Sequence, residues 1–446
     1  MKYVYGLNKS GLSIVNYFTK YNIPFVAWDD DQNTIKRALL KYKNLKLQKP
    51  NEVNLSKLQE AYVTPGLDLK SKKLQIFKNN KIKMFRDLEL YSNLISNQKI
   101  ISITGTNGKS TTTKLIGDLI KKINKNCFVG GNIGKPLLDF KNLKKIPKYH
   151  VIELSSFQLE SAPSFKSFIS ILLNISNDHM DRYTKFTNYL REKKKIINKN
   201  NYAYNIISVD DKYSSSIYKE ARKINKNTIP ISIKKEIKKG VFIKDNHIVD
   251  NFFYENRNLF IKKISSALEG TFNLQNILAT YVTSKILDIN TNTFFQTIRD
   301  FQGLPHRLEK IFENKKILVI NNSKATNLNS TINSILNYDN IYLIFGGKIK
   351  ERNFSELIKF NKNIKKCYII GKNSNLIFNK IYKKINSEIC IDLKIAIKRI
   401  FFDIKSDKKK QTILLSPGCS SYDQYDNFEQ RGEKFKKQIL NNIKKL

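Results

Sequence analysis

Gly105-Thr106-Asn107-Gly108-Lys109-Ser110-Thr111 lies between an apolar run, KIISIT, and a stretch with Leu115, Ile116, Leu119 and Ile120 at helical spacing. Glycines in such a turn let backbone N–H groups converge on phosphate oxygens, and the start of a helix adds a favourable dipole. Lys109 supplies charge toward the β- and γ-phosphates, and Ser110 offers a hydroxyl to Mg2+. The spacing therefore predicts an ATP phosphate loop. It is a shortened form, because the pattern G-x-x-x-x-G-K followed by Ser or Thr requires glycine at position 103, where Ile103 stands.

Three further places carry residue types suited to the same chemistry. Glu153 ends the apolar run HVIE, where a carboxylate has no hydrophobic reason to be, and a hard oxygen at the tip of a neighbouring strand suits Mg2+. His179 follows another apolar run in NISNDHMDRY, between Asp178 and Asp181, which leaves a metal or phosphate role and a structural role both open. His306 in GLPHRLE has the same ambiguity, and Arg307 beside it could clamp a phosphate. By composition alone, the run Arg191-Glu192-Lys193-Lys194-Lys195 reads as a solvated helix face.

The elements that must position these residues are short apolar runs that end in small or polar residues and are followed by helical patterns. Residues 2–31 read strand, glycine turn, amphipathic helix, strand; Gly6 and Gly11 flank Asn8 where a dinucleotide fingerprint would have its middle glycine, so that signal is weak. KIISITG, HVIELSS and SFISILLNIS form a second series, and KILVINNS, NIYLIFGG, CYIIGK and QTILLSPG a third. The expected fold class is α/β in three domains: residues 1–93, a Rossmann-like nucleotide domain; 94–302, a phosphate-loop ATPase domain with a parallel sheet; and 303–446, a second Rossmann-like domain.

Composition narrows the field. The chain has 446 residues, enough at roughly 100–200 per domain for several buried cores. No apolar run approaches the ~20 residues that cross a bilayer, and the first residues lack a signal peptide's apolar segment, so a cytoplasmic protein without membrane contact is expected. Four cysteines without CxxC spacing predict reduced thiols and no zinc site. The formal charge of +42 raises nucleic-acid binding, but the lysines are spread among Asn and Ile, as in KKINKN and KFNKNIKK, and no arginine-rich or RNP-like segment accompanies them, so no nucleic-acid partner is expected.

Together GLNKSGLS, GTNGKST, GGNIG, ELSSFQLE, NISNDHMDRY, GLPHRLE, NNSKATN and SPGCSSYDQYDNFEQRG resemble the Mur ligases, ATP-dependent amide-bond-forming enzymes of bacterial cell-wall synthesis. ELSSFQLE, SKATN and the SPGCSS…NFEQRG block are most similar to the branch that adds D-glutamate to UDP-N-acetylmuramoyl-L-alanine. The resemblance spans almost the whole chain and implies a monomer whose N-terminal domain takes the uridine nucleotide, whose middle domain takes ATP and Mg2+, and whose C-terminal domain brings the amino acid. It implies ATP contacts from Gly105 through Thr111, Asn273, Asn276, Arg307, Asn322 and Lys324. Substrate contacts are implied for Lys9, Ser10, Asp29, Asn132, His179, Thr326, Lys350, Ser421 and Phe428, and metal ligation for Ser110, Glu153, His179 and a carbamylated Lys193, with Lys194 one register on. Lys109, His179 and Lys193 would be the catalytic residues.

The sequence departs from the family at Asn322, where Asp is usual, at Phe272, where His is common, and at Lys9, often apolar. The implied reaction makes an acyl phosphate that an amine then captures. Alternatives are an amide ligase of the folylpolyglutamate synthetase kind, an NAD(P)-dependent oxidoreductase that would use the acids at 29–31, and a basic nucleic-acid-binding ATPase.

Overall fold

The computed structural model describes residues 1–95, 97–178, 180, 182–183, 185–254, 257–261, 263–349, 353–404 and 409–443. Its described residues form an α/β architecture with three sheets, each dominated by parallel pairing. The first holds β1 (Lys2–Tyr5), β2 (Phe25–Trp28), β3 (Glu60–Val63) and β4 (Lys83–Phe85) in the order β2-β1-β3-β4, all parallel. The second holds β5 (Lys99–Thr104), β6 (Cys127–Gly131), β7 (Tyr149–Glu153), β8 (Ile169–Leu172), β9 (Tyr204–Ser208), β10 (Thr228–Ser232), β11 (Val241–Lys244), β12 (His247–Asp250) and β13 (Arg257–Phe260). Their order is β13-β12-β11-β10-β9-β8-β5-β7-β6, antiparallel only from β11 to β13. The third holds β14 (Glu309–Glu313), β15 (Ile317–Asn321), β16 (Ile341–Gly346), β17 (Ile364–Ile370), β18 (Ser387–Ile391) and β19 (Gln411–Leu415) in the order β14-β15-β19-β16-β17-β18, with β14 alone antiparallel.

Each of the apolar runs read as strands is a strand. The reason their patterning is continuous rather than alternating is burial on both faces: β7 and β8 are buried throughout, and β5 from its second residue on. In the second sheet β5 lies between β7 and β8, which the chain reaches on opposite sides of it. The loop after β5 therefore opens at a topological switch point, the place where an α/β sheet leaves a crevice at its strand tips.

The chain divides into two compact units. One comprises Met1–Asn177, Arg182–Lys262 and Leu274–Thr297; the other comprises Asp178–Asp181, Lys263–Asn273 and Ile298–Leu446. In the first unit one apolar cluster runs from Val4, Ile14 and Phe18 through Leu88 and Tyr91 to Ile100, Phe128, Phe140 and Ile152, so the first two sheets share a core. Gly6 (φ +97°) and Gly11 serve this packing: a Cβ on Gly11 would sit 1.7 Å from the carbonyl oxygen of Gly6, so the helix Lys9–Lys20 can cross the end of β1 only without one. In the second unit the two faces of the third sheet bury separate clusters, Tyr342 and Ile344 on one, Leu343 and Phe345 on the other, as a period of two requires.

Buried charge also ties the first sheet to the second. Arg86, fully buried, donates to the carbonyls of Val63 (3.1 Å) and Thr64 (2.7 Å) and pairs with Glu160. Arg182 donates to the same carboxylate at 3.1 Å and to the carbonyls of Pro65 and Leu67, with its guanidinium stacked 4.0 Å from the Phe157 ring centre. Two guanidinium groups and one carboxylate thus hold the turn that follows β3. The four cysteines are free, and no helix among the described residues is long and apolar enough to cross a membrane.

His150 on β7 is fully buried among Tyr91, Phe128 and Phe140, with Nδ1 2.7 Å from the Tyr91 hydroxyl and Nε2 without a partner among the described residues. Burial pushes its pKa down to about 4. The unfolded chain takes up this proton near pH 6.5 and the folded chain only near 4, so the folded state loses stability as pH falls through that window. Urea unfolding from pH 7 to 4.5 should show His150→Phe gaining about 2–3 kcal/mol on the parent chain across the range. Parallel pH dependences would show that His150 does not titrate differently in the two states.

Candidate active site

The loop after β5 is shaped by its glycines. Gly105 has φ +152°, and Gly108, the residue before the helix Lys109–Lys122, has φ +83°. A Cβ on Gly108 would stand 2.4 Å from Oδ1 of Asn276, and that same oxygen accepts the Thr112 hydroxyl at 3.0 Å. Asn276, buried on the helix Thr271–Ile286, therefore sits directly against the loop. Ser110 is buried and Thr111 half-buried in the first turn of the helix, whose leading amides have no partners within it.

Charges of both signs are gathered around this loop. Nζ of Lys109 donates to the carbonyls of Gly105 (2.9 Å) and Thr106 (2.8 Å). Nζ of Lys193 donates to the same Gly105 oxygen at 2.7 Å, with the Thr104 hydroxyl at 3.4 Å. Two ammonium groups are thereby held within about 6 Å of one another. Across the loop the Glu153 carboxylate, buried at the tip of β7, accepts the Ser110 hydroxyl on Oε2 and the Asn132 amide on Oε1 (2.8 Å). Asn132 is fixed by its own N–H to the Glu153 carbonyl at 2.9 Å, and Gly131, at φ +104°, allows that approach.

Lys193 differs from its neighbours by burial. It is 2% exposed, whereas Lys194 and Lys195 are exposed and paired with Glu220 and Glu192. The helix Phe186–Lys194 turns Tyr189 and Lys193 inward, four residues apart, with Nζ of Lys193 4.9 Å from the Tyr189 ring centre and the Tyr189 hydroxyl 2.9 Å from that of Thr106. The solvated face expected of 191–195 is thus corrected: Glu192 and Lys193 face inward because the helical period places them there. His179 and Lys350 lie outside the described residues.

The profile of the Mur ligase middle domain matches residues 103–284, and that of the Mur ligase MurD-like N-terminal domain matches residues 1–85. The UDP-N-acetylmuramoylalanine--D-glutamate ligase of Rickettsia bellii is 36% identical over 97% of this chain and 95% of its own length. Those of Wolbachia pipientis and Clostridioides difficile are 33% and 32% identical, the matches covering 97% and 98% of this chain and 94% and 98% of the relatives. The chain belongs to the Mur ligase family. Solved structures share the fold at low identity. The UDP-N-acetylmuramate-alanine ligase of Thermotoga maritima superposes with a TM-score of 0.64 at 14% identity, covering 99% of both chains. The MurF ligase of the same organism, in complex with ADP, does so with a TM-score of 0.56 at 15% identity, over 87% of this chain and 97% of that one.

In this Mur ligase the remaining expected residues fall into two further groups. In the first unit, exposed Lys9 and half-buried Ser10 begin the helix Lys9–Lys20, and the Ser10 hydroxyl bonds Asp87. Asp29 accepts the amides of Leu7 (2.6 Å) and Asp31 (2.9 Å), so its carboxylate braces the turn after β1. In the second unit, Nζ of Lys324 lies 3.7 Å over the Phe428 ring, and the Lys324 N–H donates to the His306 carbonyl. Half-buried Thr326 follows Ala325, whose carbonyl accepts the Gly418 amide (2.9 Å), and buried Ser421 lies on the same 417–421 loop. Asn322 donates to the hydroxyls of Ser334 and Ser416 and accepts the Leu308 amide, all at 3.3 Å. An amide, with donor and acceptor, satisfies that buried place. Half-buried Arg307 and buried Asn273 are also in this unit. His306 is buried at φ +63°, with Nδ1 3.0 Å from Asn321 and packed on Gly432, a structural setting.

Asn174, Gln275 and Tyr189, which pack behind the loop, are not among the expected residues; for Asn174 and Gln275 the visible signal is a polar amide interrupting the apolar context of SILLNIS and FNLQNIL. Gly108→Ala should lower the urea-unfolding free energy by about 2 kcal/mol through strained φ and the clash with Asn276, whereas Gly66→Ala, with no atom within 4 Å, should change it little. Equal effects would mean that the loop does not take this path.

Proposed function

We propose that this Mur ligase joins D-glutamate to UDP-N-acetylmuramoyl-L-alanine at the expense of ATP. The observation that carries the reading is the convergence of Lys109, Lys193, Ser110 and Glu153 on the loop Gly105–Ser110, with relatives of that name 31–36% identical over nearly the full chain. The functional division would run 1–93 for the uridine substrate, 94–302 for ATP and 303–446 for the amino acid.

The chemistry follows from what a carboxylate cannot do. It does not acylate an amine at neutral pH, because its leaving group would be oxide. In the proposed reaction a carboxylate oxygen of the substrate forms a bond to the γ-phosphorus as the bond from that phosphorus to ADP breaks. The D-glutamate amine then forms the C–N bond, sheds its proton, and inorganic phosphate departs. Negative charge accumulates in both steps, and Lys109 at the loop is placed to offset it on the transferring phosphate. Amides at the start of the helix Lys109–Lys122 and at Gly108 would bind the phosphate oxygens. Asn273, Asn276, Arg307, Asn322 and Lys324 would hold the nucleotide; Asn132 with Lys9, Ser10 and Asp29 would hold the uridine substrate; Thr326, Lys350, Ser421 and Phe428 would orient the dianionic amino acid or the transferring phosphate.

The hard-oxygen donors Ser110 and Glu153, already adjacent, fit Mg2+. His179 would join them, and Lys193, carbamylated, would offer an anionic oxygen in place of an ammonium. Bound there, Mg2+ would supply charge neutralisation to the triphosphate.

Phosphate release measured with ATP, Mg2+, UDP-N-acetylmuramoyl-L-alanine and each glutamate enantiomer should appear with D-glutamate and not with L-glutamate; release with a folate and glutamate instead would overturn the reading. Lys109→Ala should lower turnover about 100-fold, the loss of a charge-assisted contact, and near-normal turnover would remove the loop assignment. Lys193→Ala should be severely impaired and partly restored by short carboxylic acids, while exposed Lys194→Ala stays active; the reverse pattern would move the site by one residue.

A further inference from the structure

Asn174, two residues beyond β8, holds the loop Gly105–Ser110 at three points. Its carbonyl accepts the Thr106 amide (2.8 Å), its Oδ1 accepts the Asn107 amide (2.8 Å), and its Nδ2 donates to the Asn107 carbonyl (3.2 Å). One side-chain amide therefore pins both peptide groups that flank Asn107. The same Nδ2 donates to Oε1 of Gln275 at 2.8 Å, and Nε2 of Gln275 donates to the Ser208 hydroxyl (2.6 Å) and to Oδ2 of Asp210 (3.4 Å). Asp210 ends the chain of bonds: its oxygens also receive the Ser232 hydroxyl (2.6 Å) and the Ile233 amide. Gln275 is 7% exposed, and Ser208 and Ser232 are fully buried.

The direction of every bond in this chain is set from one end. An ionised carboxylate only accepts, so Gln275 must turn its NH2 toward Asp210 and its oxygen toward Asn174. Asn174 must then present NH2 to Gln275 and its oxygen to the Asn107 N–H. Because a trans peptide points its N–H opposite its C=O, holding the Asn107 carbonyl against Asn174 turns the Gly108 N–H the other way. We propose that Asp210, acting through Gln275 and Asn174, fixes the loop so that the Gly108 N–H faces the nucleotide's phosphates, and that these three are positioning residues for nucleotide binding. This rests on the ATP reading of the loop and explains how a phosphate loop without the usual first glycine keeps its amides aimed.

The test is calorimetric titration of the full-length protein with ATP in excess MgCl2, beside steady-state KM values for UDP-N-acetylmuramoyl-L-alanine. Asn174→Asp and Gln275→Glu, which keep shape but replace a donor with an acceptor, should each weaken ATP about tenfold or more, with KM for the uridine substrate within about twofold of the parent. Asp210→Asn should weaken ATP on its own, and add less than about twofold in a Gln275→Ala background, because the relay is already cut. Unchanged ATP affinity in both isosteric variants, equal losses for the two substrates, or an Asp210 effect that multiplies undiminished onto Gln275→Ala would overturn the proposal. If Asn174→Asp does not fold, Gln275→Glu, one bond further from the loop, decides. Parent protein that binds ATP while all variants match it sinks the relay alone; parent protein that does not bind ATP sinks the nucleotide reading and the relay with it.

Discussion

Two ammonium groups share one carbonyl oxygen. Lys109 and Lys193 both donate to Gly105, so two ammonium groups are brought to the tip of β5. Glu153 adds a carboxylate across Ser110. The strand order makes this possible: β7, β5 and β8 are adjacent and parallel, so their tips deliver Glu153, the glycine loop and the segment after Leu172 to one edge. The remaining features of the first unit keep that edge in shape.

The first sheet is fastened to the second by charge as well as by apolar packing. Arg86 and Arg182 converge on Glu160 and between them take four carbonyls of the turn after β3, from Val63 to Leu67. Buried ion pairs contribute little net stability, because desolvation offsets their attraction, but they penalise misplacement heavily: any other position of the turn strands the buried Arg86 guanidinium and the half-buried one of Arg182. Burial holds the Arg86 pKa below its ordinary value and raises that of neighbouring Asp87, the signature of charges retained for geometry at a cost in solvation. The turn after β3 is thus set by Arg86, which follows β4, together with Glu160 and Arg182 from loops of the second sheet.

Much of this was legible in the sequence because it is local. The glycine loop, the apolar runs of buried parallel strands and the polar residue at the end of each follow from spacing alone, and the structure has strands at each of those runs. Lys193 was not legible in that way, since Arg191 through Lys195 read as one charged surface; the signal that could have found it is positional, a lysine at i+4 from Tyr189 and i−3 from Ile196, both buried. The Arg86–Glu160–Arg182 cluster and the Asn174–Gln275 bonds join residues 22 to 101 apart in the chain, and no local pattern announces such pairs. Resemblance to relatives singled out carboxyl-terminal residues that spacing does not, yet it gave no hint that the Asn322 amide would be occupied by two serine hydroxyls and a backbone amide.

The central claim is that the Gly105–Ser110 loop, where Lys109 and Lys193 meet, takes a phosphate chain rather than a base or a sugar. Equilibrium titration of the protein with ATP, ADP, AMP and adenosine, each in the same MgCl2, measures that directly. The account predicts that ATP and ADP bind at least about 100-fold more tightly than AMP and adenosine, since only they carry the β-phosphate that Lys109 would meet. Comparable affinities across the four would contradict it.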